Sequence, residues 1–242
     1  MSNMHLHGDS ASLPTLKASD AMRLRASLCE AAERGQTPRE RRRLALMALS
    51  DLVNADSWIW CYSFVNEQSH HPKNIDYQHC GRVPFRRGIW YAFRAYGIPK
   101  NAPENDALYA LVWKGVPFTR SIHDLVGMDF WQGDLECRAH VARLGIDEIV
   151  FSLRPLACIE GRMVFFGCSM GRREGREPFT PYQRSMIHEA VARCVYLRPG
   201  VPSSSVLKAL DSLTLRFHRL LALMREGLSN REMGEITAKP TA

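Results

Sequence analysis

Two apolar runs, Glu148 to Leu156 and Arg162 to Met170, flank the short link Ala157 to Gly161. Runs of that length, rich in Ile, Val and Phe and joined by a few residues containing Gly, specify an antiparallel hairpin. A third run of the same character, Ser57 to Val65 (SWIWCYSFV), alternates so that Trp58, Trp60 and Tyr62 share one strand face. A sheet built from such strands has to bury its apolar faces against another layer. The chain supplies that layer as helices.

From Ser19-Asp20, the spacing of Met22, Leu24, Leu28 and Ala32 predicts a helix ending near Gly35. Thr37-Pro38-Arg39-Glu40 is a capping box with Pro at the first helical position, launching RERRRLALMALSDLV. Arg39 and Arg41 to Arg43 are expected to form a solvated helix face. A weaker strand is expected around Tyr77 to Val83, helices around Arg86 to Tyr96, Glu104 to Trp113 and Met128 to Leu144, and an edge strand within Val116 to Ile122. Thr180-Pro181-Tyr182-Gln183 caps a further helix carrying Met186, Ile187, Ala190, Cys194 and Leu197. Arg198 to Ser205 (RPGVPSSS) has the composition of a linker. The expected fold class is α+β, an antiparallel sheet flanked by helices and followed by a partial all-α helix-turn-helix.

That last element is read from Leu213 to Ile236. Leu213, Phe217, Leu220, Leu221, Met224 and Leu228 recur at helical spacing, and Gly227 supplies a left-handed stop. Ser229 to Glu232 is a second-helix capping box, with Leu228 and Met233 at the staple positions around it. Helix, sharp turn and capped helix make an αα-corner of the helix-turn-helix kind.

Leu213-Thr214-x-Arg216, Leu220-Leu221-x-Leu223 and Gly227-Leu228-Ser229-Asn230-Arg231-Glu232-Met233 together resemble the opening of a LuxR-type DNA-binding domain. Phe217 departs from the family, which carries Glu there, and Thr237 and Lys239 stand where apolar residues belong. The resemblance implies a regulator that binds DNA as a homodimer, with Ser229, Asn230 and Arg231 at the phosphate backbone, where helix amides and a cation suit an anion. It covers only the first half of such a domain. The expectation is that the chain stops at Pro240-Thr241-Ala242 before the recognition helix. As given it would then bind DNA weakly and without sequence preference. The segment TPRExxxLALMAL mimics the same family, but Asn54-Ala55-Asp56 follows it instead of the Gly-x-Ser turn.

The larger N-terminal part resembles the GAF and PAS group of sensor domains, on Asp129-Phe130-Trp131 and Glu177-Pro178-Phe179-Thr180. The implied organisation is a polar, disordered tail over 1–16, a GAF/PAS-like sensor or dimerisation domain over 17–197, a linker over 198–205 and the partial helix-turn-helix over 206–242. A small-molecule signal is the implied partner. The competing reading is a sensory or dimerisation protein without DNA activity, one that antagonises full-length relatives.

Composition agrees with a regulator only in outline. The net charge of +7 suits an acidic partner such as DNA, yet the stretch from Val206 onward holds six basic and four acidic residues, so the excess is not concentrated there. Seven cysteines at irregular spacings, with no C-x-x-C, point to a reducing cytoplasm. No secretory or membrane-spanning segment is visible. Catalytic signatures (G-x-S-x-G, a glycine-rich phosphate loop, H-E-x-x-H) are missing, so no enzyme and no cofactor are expected. His70, His71, His79 and Cys80 match no compact zinc pattern, and no metal is expected. His79 precedes Cys80 where tetrapyrrole-binding members of the GAF group place His after Cys. Trp58, Trp60, Tyr62, Trp90, Trp113, Trp131, Phe165 and Phe166 fit either an aromatic pocket or core packing, with core preferred.

Overall fold

The computed structural model describes residues 13–66, 72–81, 108, 110–126, 146, 148–173, 175–213, 224 and 231. Two helices, α1 (Ala18–Glu33) and α2 (Pro38–Leu52), precede the strands β1 (Ser57–Asn66) and β2 (Lys73–Gly81). Then come β3 (Phe118–Ser121), the short α3 (Ile122–Val126), the hairpin β4 (Glu148–Ile159) and β5 (Arg162–Arg172), and helices α4 (Pro181–Arg193) and α5 (Ser204–Ser212). Among the described residues the strands form one five-stranded sheet in the order β2-β1-β5-β4-β3, with all four neighbouring pairs antiparallel. The α+β class read from the sequence is the class observed.

Local chemistry explains most of the boundaries. Thr37 accepts the Glu40 amide while the Glu40 carboxylate takes the Thr37 amide, and Thr180 and Gln183 repeat the arrangement at the start of α4. The β4–β5 link is tighter than the five residues expected. It is the pair Glu160-Gly161, both at positive φ (48° and 72°), which matches the right-handed twist of the flanking strands. Pro155 cannot donate to a ladder. It lies beyond Leu153, the last β4 residue paired with β3, and beside a register shift that leaves Leu156 unpaired.

Each face of the sheet has its own core. Trp58, Trp60, Tyr62 and Phe64 of β1, with Val164, Phe166, Cys168 and Met170 of β5, face α1, α2 and α4. Leu24, Leu28, Leu46, Leu49, Ile187 and Leu197 meet them there, so Trp58, Trp60 and Tyr62 serve the core. In α1 the buried stripe is Ala21, Leu24, Leu28 and Ala32, whereas Met22, expected on that stripe, is 62% exposed. On the opposite face Val65, Leu153, Met163 and Phe165 pack with Phe118, Leu125, Leu108 and Val112.

Arg42 departs from the expected solvated helix face. Its guanidinium lies 3.7 Å from the centre of the Trp60 ring and 3.0 Å from the Asp76 carboxylate. Neither partner is near it in sequence, so a helix-surface reading had no means of finding them. The expected helices around 86–96 and 128–144 lie outside the described residues, and only 108 and 110–113 of the Glu104 to Trp113 stretch are described, all helical.

Candidate functional site

The odd-numbered face of β1 includes positions at the middle of the sheet that are only partly covered. The register sets Ile59 beside Ser169 and Cys61 beside Gly167, while Phe151 and Leu153 of β4 continue the two rows. Val65, Leu153, Met163 and Phe165 are buried, but Ile59, Cys61, Phe151 and Ser169 are only partly so, although they lie on the three inner strands. The strands approach closely here. A Cβ on Gly167 would stand 2.0 Å from the Ser152 carbonyl oxygen, so this position has room for hydrogen alone. The face is mainly apolar, with the hydroxyls of Ser57, Ser63 and Ser169 and the Cys61 thiol among its polar groups. Such a surface suits a small, mainly apolar molecule held by a few polar contacts. Burial pushes the Cys61 thiol up to about 12, so it stays protonated at neutral pH and is a poor nucleophile.

The other face of β1 is tied to the chain leaving α4. Trp60 Nε1 donates to the Leu197 carbonyl at 3.0 Å, and Tyr62 Oη donates to the Gly200 carbonyl at 2.6 Å. The proline- and serine-rich stretch 198–205 therefore begins as a strap bonded to the sheet. Ser203 caps α5, whose Leu207 is fully buried in the main core. Burying one leucine contributes about 2 kcal/mol, enough to seat a nine-residue helix that would not persist alone. At its end the Asp211 carboxylate accepts from Lys73 Nζ at 2.8 Å and from Arg162 Nη2 at 2.8 Å. Lys73 also reaches the Asp211 carbonyl, and Lys208 pairs with Glu160 in the β4–β5 turn. Burial works to raise the Asp211 pKa, but the bonds and charges of Lys73 and Arg162 outweigh it and hold the carboxyl below its ordinary value.

A third polar feature lies between α4 and the β3–β4 edge. His188 Nδ1 is 2.9 Å from Thr119 Oγ1, which donates to Ser152 Oγ at 2.8 Å. Arg154 Nη2 approaches His188 Nε2 at 3.4 Å. One assignment satisfies all three contacts: a neutral imidazole donating from Nδ1 and accepting at Nε2. Desolvation, and then the Arg154 charge, lower the His188 pKa and favour that neutral form. Thr119, His188 and Glu189 line a cleft of about 390 Å³ that the segment Leu13 to Leu16 closes on one side.

Of the residues proposed for DNA contact, Arg231 is helical and exposed, while Ser229 and Asn230 lie outside the described residues. His70 and His71 also lie outside, and His79 is partly buried in β2. Among the described residues no group of three or more His, Cys, Asp or Glu is placed to hold a metal ion, and no helix is long and apolar enough to cross a membrane. The Asp211 cluster and the His188 chain were not legible beforehand, because each joins residues at least 33 positions apart.

No family model matches the chain, and no curated protein matches it. Among solved structures, the chain is similar to Escherichia coli SdiA at 13% identity, covering 90% of this chain and 84% of that one, with a TM-score of 0.45. It is also similar to the LBD domain of VqsR from Pseudomonas aeruginosa (13% identity, 74% and 93% covered, TM-score 0.43). A third is CepR2 from Burkholderia cenocepacia, described as an N-acylhomoserine lactone dependent LuxR family transcription factor (14% identity, 73% and 96% covered, TM-score 0.41). At those values the likeness assigns neither a family nor a ligand to this chain.

Proposed function

We propose that this protein is a transcriptional regulator of the LuxR type. Its α+β part serves as the signal-sensing or dimerisation domain, and the segment from Leu213 onward serves DNA binding. The observation that carries the reading is the seat of α5. This helix is fixed to β2 and β5 through Asp211 and runs directly into Leu213, where the family-like motif begins. A change at the sheet has a short covalent path to that motif. A small apolar signal fits the partly covered face around Ile59, Cys61, Phe151 and Ser169, and Ser229, Asn230 and Arg231 fit the phosphate backbone of a duplex.

The test is chromatin capture of the tagged protein expressed from its own locus, followed by sequencing of the bound DNA. Enrichment of sites with two-fold symmetry, lost in Arg231→Ala or Asn230→Ala, supports the regulator. No enrichment, together with co-purification of a longer LuxR-type relative, would establish the competing reading of a partner without DNA activity of its own.

A further inference from the structure

Four arginines in this fold hold an Nε that is buried without a hydrogen-bond partner: Arg42, Arg154, Arg172 and Arg184. Three of them are otherwise well accounted for. Arg42 pairs with Asp76 and Arg184 with Asp124. Arg172 donates to the Glu177 and Val53 carbonyls and to Gln183, and its guanidinium lies over the Phe179 ring. Arg154 is the exception. Its contacts are His188 Nε2 at 3.4 Å and the His188 carbonyl at 3.5 Å, both long, and among the described residues no carboxylate lies within ion-pair distance. A partly buried guanidinium with five donors and so little to bond is an anomaly, since buried charge is normally paired.

The surroundings sharpen it. Burial comes first in lowering the Arg154 pKa, and the positive charges of Arg193 and Arg198 lower it further against the single opposing charge of Glu189. Arg154 stands in one cross-strand row with Phe166 and Tyr62, and Tyr62 holds the Gly200 carbonyl, so the strap that Arg198 opens meets the sheet at that row. The Arg154 guanidinium also reaches the His188 carbonyl of α4, the helix that Arg193 closes, and both Arg193 and Arg198 are exposed. Arg154 meets α4 only at His188, whose ring is in turn bonded to Thr119 and, through it, to Ser152. A half-enclosed, under-bonded guanidinium near two exposed ones suits a carboxylate or phosphate, which takes paired hydrogen bonds.

We infer that Arg154, Arg193 and Arg198 form an anion-binding site for a carboxylate or phosphate group, on the sheet face opposite the partly covered one. The site is independent of the regulatory reading, and it lies where the strap to α5 begins. An oxyanion there would neutralise the cluster at the foot of the segment that Trp60 and Tyr62 hold to the sheet.

Thermal unfolding of the full chain tests it, with inorganic phosphate, acetate or chloride varied at constant ionic strength. The expected result is a saturable rise in midpoint with phosphate or acetate and none with chloride. The oxyanion that gives the rise identifies which of the two chemistries the site takes. Arg154→Met should abolish the saturable component, and the exposed double change Arg193→Ala with Arg198→Ala should raise its half-saturation concentration at least tenfold. Should Arg154→Met fail to fold, the double variant decides alone. Equal responses to all three anions, or a phosphate or acetate response unchanged in the folded variants, would overturn the site.

Discussion

Arg162, the first residue of β5, donates from both Nε and Nη2 to a single oxygen of Asp211, at 3.1 and 2.8 Å. Lys73 at the start of β2 takes the other oxygen at 2.8 Å. One carboxylate on α5 thus joins two strands that lie two places apart in the sheet, and all three side chains are at most one-quarter exposed. Asp211→Asn keeps the shape and removes the charge that both cations need. We expect it to destabilise the docking of α5 by about 2 kcal/mol, the worth of hydrogen bonds to a charged group. Amide exchange over 204–213 should accelerate by more than tenfold while β1 and β5 are unchanged. Unaltered exchange would mean that Leu207 alone holds the helix. Because the Asp211 pKa is depressed in the folded chain, its contribution is present above the unfolded value near 3.9 and is lost as pH falls through the lower folded value.

His188 gives a dependence in a different range. Its folded pKa is lowered, so below about 6.5 the unfolded chain binds a proton that the folded chain refuses. Stability should therefore fall as pH drops from 7 toward 5, with a slope from this group of at most about 1.4 kcal/mol per pH unit. Arg154 and Thr119 meet the ring, and Ser152 stands behind Thr119. Denaturant melts of wild type and His188→Gln across that range isolate the term. Parallel curves for the two proteins would refute a neutral, desolvated imidazole.

Trp60 and Tyr62 hold the strap with one hydrogen bond each, but their burial differs. Trp60 is fully buried, so Trp60→Phe strands the Leu197 carbonyl and opens a space in the core; a loss of about 3 kcal/mol is expected. Tyr62→Phe removes only the bond to the less enclosed Gly200 carbonyl and should cost about 1 kcal/mol. Urea midpoints at constant m-value decide the ranking. Equal losses would show that the strap is held at one point only.

Gly167 is required by geometry. A methyl group there meets the Ser152 carbonyl and the Leu153 backbone on the adjacent strand, neither of which can swing aside. Gly167→Ala should lower stability by about 2–3 kcal/mol through forced separation of β4 and β5. The control is Gly175→Ala, where no atom lies within 4 Å and only the positive φ opposes the change. If the two variants melt together, the close approach of the strands is wrong.

What the sequence determined on its own was everything that depends on neighbours a few residues away. The Thr37 and Thr180 capping boxes, the alternation of Trp58, Trp60 and Tyr62, and the β4–β5 hairpin each need only local backbone geometry and apolar period. The strand bounds moved slightly: β2 begins at Lys73, ahead of the expected Tyr77, because pairing with β1 recruits polar residues that have little strand propensity of their own. What only the tertiary structure decided was how distant pieces meet. Arg42 leaves the solvated helix face because Trp60 and Asp76 are brought to it. Asp211 becomes a clamp because β2 and β5 present Lys73 and Arg162 at the same place. Side-chain charge is written in the sequence, but the partner that fixes its meaning is chosen by the order of strands in the sheet, and that order is set by long-range burial, which no local pattern encodes.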